Sequence, residues 1–89
     1  MKMKVRNLES SRGNTVPNQF VIRTDEGRFF QSYDSIICFI PYEGKVLIDE
    51  RYWNYSRTTS KYRSQFLGEG TQETKTKIEN GTYLTTNLN

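Results

Sequence analysis

The sequence lacks histidine entirely and contains a single cysteine among its 89 residues. Histidine is the commonest general base and the commonest transition-metal ligand, so its absence argues against acid–base catalysis at neutral pH and against a zinc site. Neither a Ser-His-Asp triad nor a Cys-His pair can be assembled, and no glycine-rich phosphate-binding motif is present. We therefore expect a protein that is not an enzyme and that needs no metal or other cofactor.

Long apolar segments are also missing. The longest run, Ile36–Ile40, is far shorter than a membrane-spanning helix requires, and the N-terminal segment Met1–Arg6 has no apolar stretch typical of a signal peptide. The lone Cys38 lies inside the apolar run, which predicts a small buried side chain rather than a reactive thiol. These features predict a cytoplasmic protein without membrane contact.

Apolar residues are scarce overall, at 34% of the chain, but 13% of the residues are aromatic. Each buried ring removes roughly 150–250 Å² from water, so a few rings can build a small core. The length suits one domain, residues 1–89. The net charge of +3 is a mild basic excess, which is compatible with nucleic acid without requiring it.

The alternation of β-forming residues and turn signals predicts an antiparallel meander. An exposed polar loop is expected at residues 9–18, after a short first strand, and Pro41 ends the most apolar strand. The predicted strands are Lys4–Leu8, Gln19–Thr24, Arg28–Tyr33, Ser35–Ile40 and Lys45–Asp49.

Helix signals follow the strands. Asn54 or Ser56 can cap a main helix that Gly68 ends after Leu67. The next segment, Thr71–Glu79, has Glu73–Lys77 and Lys75–Glu79 spacings that favour a short helix, whereas the Asn80-Gly81 turn signal favours a hairpin. If Thr71–Glu79 is a helix, Thr82–Leu84 is expected to be extended and is a candidate edge strand. The predicted class is α+β: a four- to five-stranded antiparallel sheet packed by one main helix, with a short second helix or a hairpin at the C-terminus.

The segment from Arg51 to Leu67 interleaves aromatic and basic residues without an acidic one. Taken linearly, it resembles a platform for stacking bases and binding phosphates. Wound into a helix, it separates a predicted core stripe, Tyr55, Thr59, Tyr62 and Phe66, from an outward face, with Arg63 and Leu67 on one flank. The candidate binding residues are on that outward face, extended by one preceding arginine: Arg51, Arg57, Ser60, Lys61 and Ser64. An ordinary solvated helix face is the competing interpretation.

Four segments, Asn18–Ile22, Phe30–Ile37, Tyr52–Tyr62 and Phe66–Glu69, resemble short uncharacterised proteins of bacteriophages and related mobile elements. The resemblance covers most of the chain and implies an accessory viral protein that acts on host machinery or on phage nucleic acid in the host cytoplasm. The leading hypothesis is a non-enzymatic protein that binds a host protein or nucleoprotein, as an anti-CRISPR inhibitor of host defence would.

The alternative hypothesis is direct binding of DNA or RNA. The helix face would then act together with the loop residue Arg12 and the N-terminal cations Lys2, Lys4 and Arg6. The exposed edges of the predicted sheet also leave a homodimer formed by strand pairing open.

Overall fold

The computed structural model describes residues 2–89, which form six strands and two helices. The first five strands are β1 Lys4–Glu9, β2 Thr15–Arg23, β3 Gly27–Ser32, β4 Ser35–Pro41 and β5 Leu47–Asp49. They are followed by α1 Arg57–Leu67, α2 Thr71–Glu79 and β6 Leu84–Thr86. The strands lie side by side in the order β1-β2-β3-β4-β5-β6.

The α+β class and the antiparallel meander predicted from the sequence are confirmed, but the sheet has six strands instead of four or five. Strands β1 to β5 pair antiparallel in succession, whereas β6 pairs parallel to β5, with Leu84 opposite Leu47. A parallel neighbour needs a long crossover, and α1 and α2 supply it. The segment Thr71–Glu79 is therefore the short helix and not the hairpin.

The predicted exposed loop at residues 9–18 is wrong in extent. Only residues 10–14 form the turn, in which the Ser10 hydroxyl accepts hydrogen bonds from the backbone N–H groups of Arg12 (3.3 Å) and Asn14 (3.2 Å). Strand β2 already begins at Thr15, and Val16 is buried. The polar composition concealed the strand because pairing with β1, a non-local contact, fixes its conformation.

The two faces of the sheet differ, because paired residues share a face and successive residues alternate between faces. One row across the strands faces the helices, as the stacking of Phe30 on Phe66 of α1 demonstrates, with ring centroids 5.6 Å apart. That row is Arg6, Val21, Phe30, Cys38, Ile48 and Thr85. The neighbouring row points away from both helices and consists of Val5, Ile22, Phe29, Phe39, Leu47 and Leu84.

The core lies between the sheet and the two helices. Phe30, Ile37, Cys38 and Ile48 are fully buried there, which confirms the predicted burial of the cysteine. Burial raises the pKa of the Cys38 thiol well above its usual value, so it stays protonated. Within residues 2–89, neither helix has the length and apolar character needed to cross a membrane.

Helix α1 begins where one of the two predicted caps places it. The Ser56 hydroxyl accepts a hydrogen bond from the N–H of Thr59 at 3.1 Å, and Gly68, at φ 74°, ends the helix in the left-handed conformation. Tyr55 precedes the cap and is 47% exposed, so its predicted place in the core stripe is wrong. The helical projection does not apply to Tyr55, because Ser56, which lies between Tyr55 and the helix, is in the extended conformation.

Arg63 is one of the two buried residues of α1, together with Thr59, although the helical projection places it on a flank. Its side chain is fully buried, and its guanidinium donates to the carbonyl of Trp53 and to the Thr71 hydroxyl, each at 2.6 Å, and to the Asn54 amide oxygen at 3.2 Å. The guanidinium carbon also lies 5.0 Å from the centre of the Trp53 ring. Arg63 therefore ties the segment before α1 to the start of α2, and its burial lowers its pKa.

Candidate functional site

Four basic side chains lie together on the helix-facing side of the sheet. Lys4 pairs directly with Arg23, and Arg23 with Arg28, so three cations form a row across β1, β2 and β3. Arg6 lies two residues from Lys4 on the same face of β1. We call Lys4, Arg6, Arg23 and Arg28 the basic strip. All of them are exposed except Arg28, which is half-buried and has its guanidinium 5.4 Å from the centre of the Phe66 ring.

The tight turn between β2 and β3 fixes the register of the strip. Thr24 donates to the carbonyl of Gly27 through its backbone N–H (2.8 Å) and its hydroxyl (3.2 Å), and the same hydroxyl accepts from the N–H of Glu26 (3.1 Å). A Cβ atom on Gly27 would collide with the carbonyl oxygen of Ile40 on β4, so the turn requires glycine. The turn therefore holds Arg23 opposite Arg28.

Among residues 2–89, no carboxylate forms an ion pair with a cation of the basic strip. In the part of the chain that the structure describes, the ion pairs all involve Lys77, with Glu69 at 2.8 Å and Glu73 at 3.2 Å. Like charges directly opposite each other on neighbouring strands are destabilising. The row Lys4–Arg23–Arg28 thus keeps a concentrated positive charge at a cost in stability, and a bound anion would relieve that repulsion.

An exposed aromatic ring adjoins the strip. Tyr42, which follows β4 and is 62% exposed, shares a surface depression with Lys2, Lys4 and Arg23. Asp25 borders the same depression and accepts a hydrogen bond from the backbone N–H of Lys2 at 3.3 Å. The depression therefore combines cations with a ring on which a planar group could stack.

The residues predicted on the outward face of α1 have different surroundings. Arg57 and Lys61 are exposed, and the Lys61 ammonium lies 5.2 Å from the centre of the Tyr62 ring. Ser60 donates to the Asn54 side chain at 2.5 Å, and the hydroxyls of Ser60 and Ser64 each lie 3.5 Å from the Arg63 guanidinium. The two serines thus contact the buried arginine, which leaves the two cations as the free part of that face.

The remaining predicted residues are spread over the molecule. Arg51 is exposed beside the C-terminal residues Asn87 and Asn89. Arg12 lies in the β1–β2 turn, at the opposite end of that hairpin from Lys4 and Arg23. The structure therefore brings together Lys2, Lys4 and Arg6 of the predicted set, and it separates them from Arg12.

Arg23 and Arg28 were missed by the sequence-based selection, although the sequence carries a signal for them. They flank the turn Asp25-Glu26-Gly27, and a hairpin closed by this turn places them opposite each other. The position of Lys4 is harder to predict, because a register shift between Asn7 and Glu9 intervenes in the β1–β2 pairing.

A second polar cluster surrounds Glu69, whose side chain is 3% exposed. Its carboxylate accepts from Lys77 (2.8 Å), Thr74 (2.6 Å) and Tyr83 (2.6 Å). Burial alone would raise the pKa of Glu69, but these hydrogen bonds outweigh it and the pKa is lowered. Burial and the Glu69 carboxylate raise the pKa of Tyr83 to about 12. Each carboxylate oxygen has a partner, so the cluster joins α2 to the strand side of the core and leaves no group free for chemistry.

No metal centre is found among residues 2–89, where no three Cys, Asp or Glu side chains approach closely enough to hold an ion. Asp49, one of the buried carboxylates, accepts hydrogen bonds from the backbone N–H groups of Arg51 (3.1 Å), Tyr52 (2.7 Å) and Leu88 (2.9 Å). Burial would raise the pKa of Asp49, but these donors lower it overall. Its role is to fix the turn after β5.

The chain belongs to a protein family of unknown function (DUF8033), whose family model matches residues 3–81. No curated protein and no solved structure gives a significant match. The family assigns no activity, so function has to come from the geometry of the basic strip and its surroundings.

Proposed function

We propose that this protein is a non-enzymatic accessory protein, of the phage type suggested by the resemblance, that binds nucleic acid through the basic strip. The observation that supports the proposal is the unneutralised row Lys4–Arg23–Arg28, with Arg6 beside it. Phosphate groups are the anions that Lys and Arg on a protein surface commonly bind, and such contacts dominate the affinity of nucleic-acid-binding proteins.

The row matches a polyanion better than a single small anion. Neighbouring strands lie about 4.8 Å apart, so the row spreads three flexible cationic side chains along a line. A single phosphate would occupy only part of that line, whereas a nucleic-acid backbone presents successive phosphates along it.

Tyr42 favours single-stranded over duplex nucleic acid. Its exposed ring borders the same depression as Lys4 and Arg23. An unpaired base can stack on such a ring while the neighbouring phosphates contact the cations, and base–aromatic stacking contributes about 1–3 kcal/mol per base. A duplex keeps its bases stacked on one another and cannot use the ring.

Fluorescence anisotropy with labelled single-stranded and duplex oligonucleotides tests the proposal at low salt and over a salt titration. Four phosphate contacts predict a slope of log affinity against log salt of about −3 on a single strand. The double variant Lys4→Gln/Arg23→Gln should weaken binding at least ten-fold and reduce the slope by about 1.5. Absence of binding at low salt would overturn the proposal.

A matched control comes from the helix face predicted by the sequence. The double variant Arg57→Gln/Lys61→Gln removes the same amount of charge from α1, where both side chains are exposed. We expect its affinity to stay within about three-fold of the wild-type value, since long-range charge effects are screened beyond about 10 Å at 0.1 M salt. Equal losses in the two double variants would mean that net charge, and not the basic strip, determines binding.

A host protein remains the partner predicted by the leading sequence hypothesis. Capture from host lysate with and without nuclease distinguishes it from nucleic acid. A complex that survives nuclease and does not need Lys4 and Arg23 would replace the present proposal with protein binding, of the kind an anti-CRISPR inhibitor uses.

A further inference from the structure

The face of the sheet turned away from the helices carries an apolar row that crosses all six strands. The row contains only apolar side chains: Val5, Ile22, Phe29, Phe39, Leu47 and Leu84. The rings of Phe29 and Phe39 stack at its centre with centroids 4.2 Å apart. At its ends Val5 is 58% exposed and Leu84 is 47% exposed. We call this row, with the uncharged row next to it, Asn7, Phe20, Gln31 and Ile36, the outer face.

The distribution of charge on the sheet is the reverse of that expected for a sheet with one solvated face. Such a face usually alternates with the core and carries the polar and charged residues. Here the apolar row and the row next to it hold no charged residue, and Asp49, which pairs with Thr86 on the same side, is buried. All four cations of the basic strip lie on the side of the helices. Within the row Phe39 is buried, Ile22, Phe29 and Leu47 are half-buried, and the two ends are exposed. Apolar side chains that remain accessible along one face of a sheet mark an interaction site.

We infer that the outer face is the interface of a homodimer in which two sheets pack face to face. The described residues measure 34 × 32 × 20 Å, so the broad side of the molecule projects an area on the order of 1,000 Å². That projection is the upper limit for an interface on this side, and it exceeds the roughly 800 Å² per partner that a stable interface buries. The inference is independent of nucleic-acid binding.

A second copy of the chain is a suitable partner for this face because of where the charges lie. In a two-fold interface every residue meets the same surface, so any charge on the face would approach its own copy. The apolar row avoids this conflict because it holds no charged residue, and back-to-back packing leaves both basic strips on opposite outer surfaces. A polar rim also exists at one end, where Asp25, Glu26, Glu43 and Lys45 surround Phe39 and Leu47. An apolar centre with a polar rim is the usual anatomy of a protein interface.

The row has a matching two-fold geometry. A two-fold axis parallel to the strands and between β3 and β4 would place the row of one copy on the row of the other. Phe29 would then face Phe39 of the second copy, and Val5 would face its Leu84. Two sheets packed this way lie about 10 Å apart, with their strands within about 30° of each other.

Sedimentation velocity over a range of protein concentrations, with the full chain, tests the inference. We expect a dimer at micromolar concentration. Leu84→Glu should raise its dissociation constant at least ten-fold, because the carboxylate would be buried in the apolar row. Thr85→Glu is the matched control: the neighbouring residue on β6 is also exposed but points to the other face, and it should change the dissociation constant less than two-fold.

Phe29→Glu, at the centre of the row, should give a monomer, with folding checked by circular dichroism. If that variant does not fold, Leu84→Glu at the edge of the sheet still decides the matter. A wild-type protein that is monomeric at about 100 µM would overturn the inference, and so would a monomer whose outer face binds another protein or lipid vesicles. Equal weakening by Leu84→Glu and Thr85→Glu would also overturn it, since it would place the contact along the edge of β6.

Discussion

The two faces of the sheet are built from alternating residues of the same strands, yet they place polar groups in opposite ways. The helix-facing side contains the apolar row that forms the core, but also buried Gln19, Ser32 and Thr59 and the buried Arg63 of α1. Ser32 and Thr59 share a hydrogen bond at 2.8 Å, whereas the amide of Gln19 has no hydrogen-bond partner among the described residues. The outer face is uncharged and partly open.

The difference between the two faces suggests two roles: the helix-facing side stabilises the single chain, and the outer face recognises a partner. The helix-facing side accepts polar groups because α1 and α2 satisfy most of them, so its residues determine the free energy of unfolding of a single chain. Apart from Phe39, the residues of the outer face are at most half-buried in a single chain, so we expect them to contribute less to that energy until a second surface covers them. Substitutions on the two faces should therefore differ in how their effects depend on protein concentration.

The sharpest test of this comparison uses adjacent phenylalanines of β3. Phe30→Ala removes a fully buried ring from the core and should lower the free energy of unfolding by about 3–5 kcal/mol at every protein concentration. Phe29→Ala, on the outer face, should cost less in dilute protein and more as the concentration rises. Urea unfolding at two concentrations measures both, and identical concentration dependence in the two variants would contradict the division of roles.

The buried guanidinium of Arg63 provides the next largest expected effect. Arg63→Met keeps an apolar stem but leaves the Trp53 carbonyl and the Thr71 hydroxyl without their donor. Each unsatisfied buried group costs about 1–3 kcal/mol, so we expect a loss of about 2–4 kcal/mol. Lys61→Met, on the exposed side of the same helix, should stay within about 0.5 kcal/mol of wild type in the same urea titration. A smaller loss for Arg63 than for Lys61 would mean that the guanidinium does not hold α1 in place.

Acid pH tests the Glu69 cluster. The folded-state pKa of Glu69 is lowered, so its stabilising contribution is present above the unfolded pKa near 4.5 and is lost as the pH falls through the folded pKa. Glu69→Gln should lower stability by about 1–2 kcal/mol at neutral pH and flatten the decline below pH 5. Glu73→Gln is the control, because Glu73 contacts the same Lys77 but is 59% exposed. Thermal unfolding between pH 3 and 7 measures both, and an unchanged decline in the Glu69 variant would mean that other carboxylates, such as Asp49, cause it.

The smallest predicted effect is an increase in the free energy of unfolding, whereas the preceding variants lower it. Gln19 is fully buried with an unpartnered amide, so Gln19→Met should raise the free energy of unfolding by about 1 kcal/mol. Gln31→Met, on the outer face, removes a hydrogen bond from the Gln31 amide to the carbonyl of Tyr33 at 2.7 Å and should not stabilise a single chain. Loss of stability in the Gln19 variant would indicate that its amide is hydrogen-bonded in solution.

Elements with local signals could be predicted from the sequence. The turns that flank β3 and the Ser56 and Gly68 caps of α1 depend on a few neighbouring residues, so their positions follow from residue type. The full extent of strand β6 and the first residues of β2 could not be predicted in the same way. Their conformation depends on pairing with β5 and β1, which lie far away in sequence.

The residues of the candidate site also differ in whether a local sequence signal predicts their position. The pairing of Arg23 with Arg28 is local to one hairpin and was accessible from the sequence, while the addition of Lys4 required the register of β1. The sequence places Arg63 on a flank of the helix, whereas it is buried in the structure. A helical projection gives the direction of a side chain but does not identify the residues that surround it. The partners of Arg63 are Trp53 and Thr71, which reach it only through the tertiary fold.

The parallel pairing of β6 with β5 divides the chain into parts that can form at different times during folding. Strands β1 to β4 are joined by short turns and can pair as soon as they meet, whereas β6 must wait until the crossover, residues 50–83, has closed. Closing a loop of this length costs on the order of 3 kcal/mol in chain entropy, which α1 and α2 offset only once they pack on the sheet. We expect β6 to be added late, so that β5 spends part of folding as an unpaired edge onto which a strand of another chain could join.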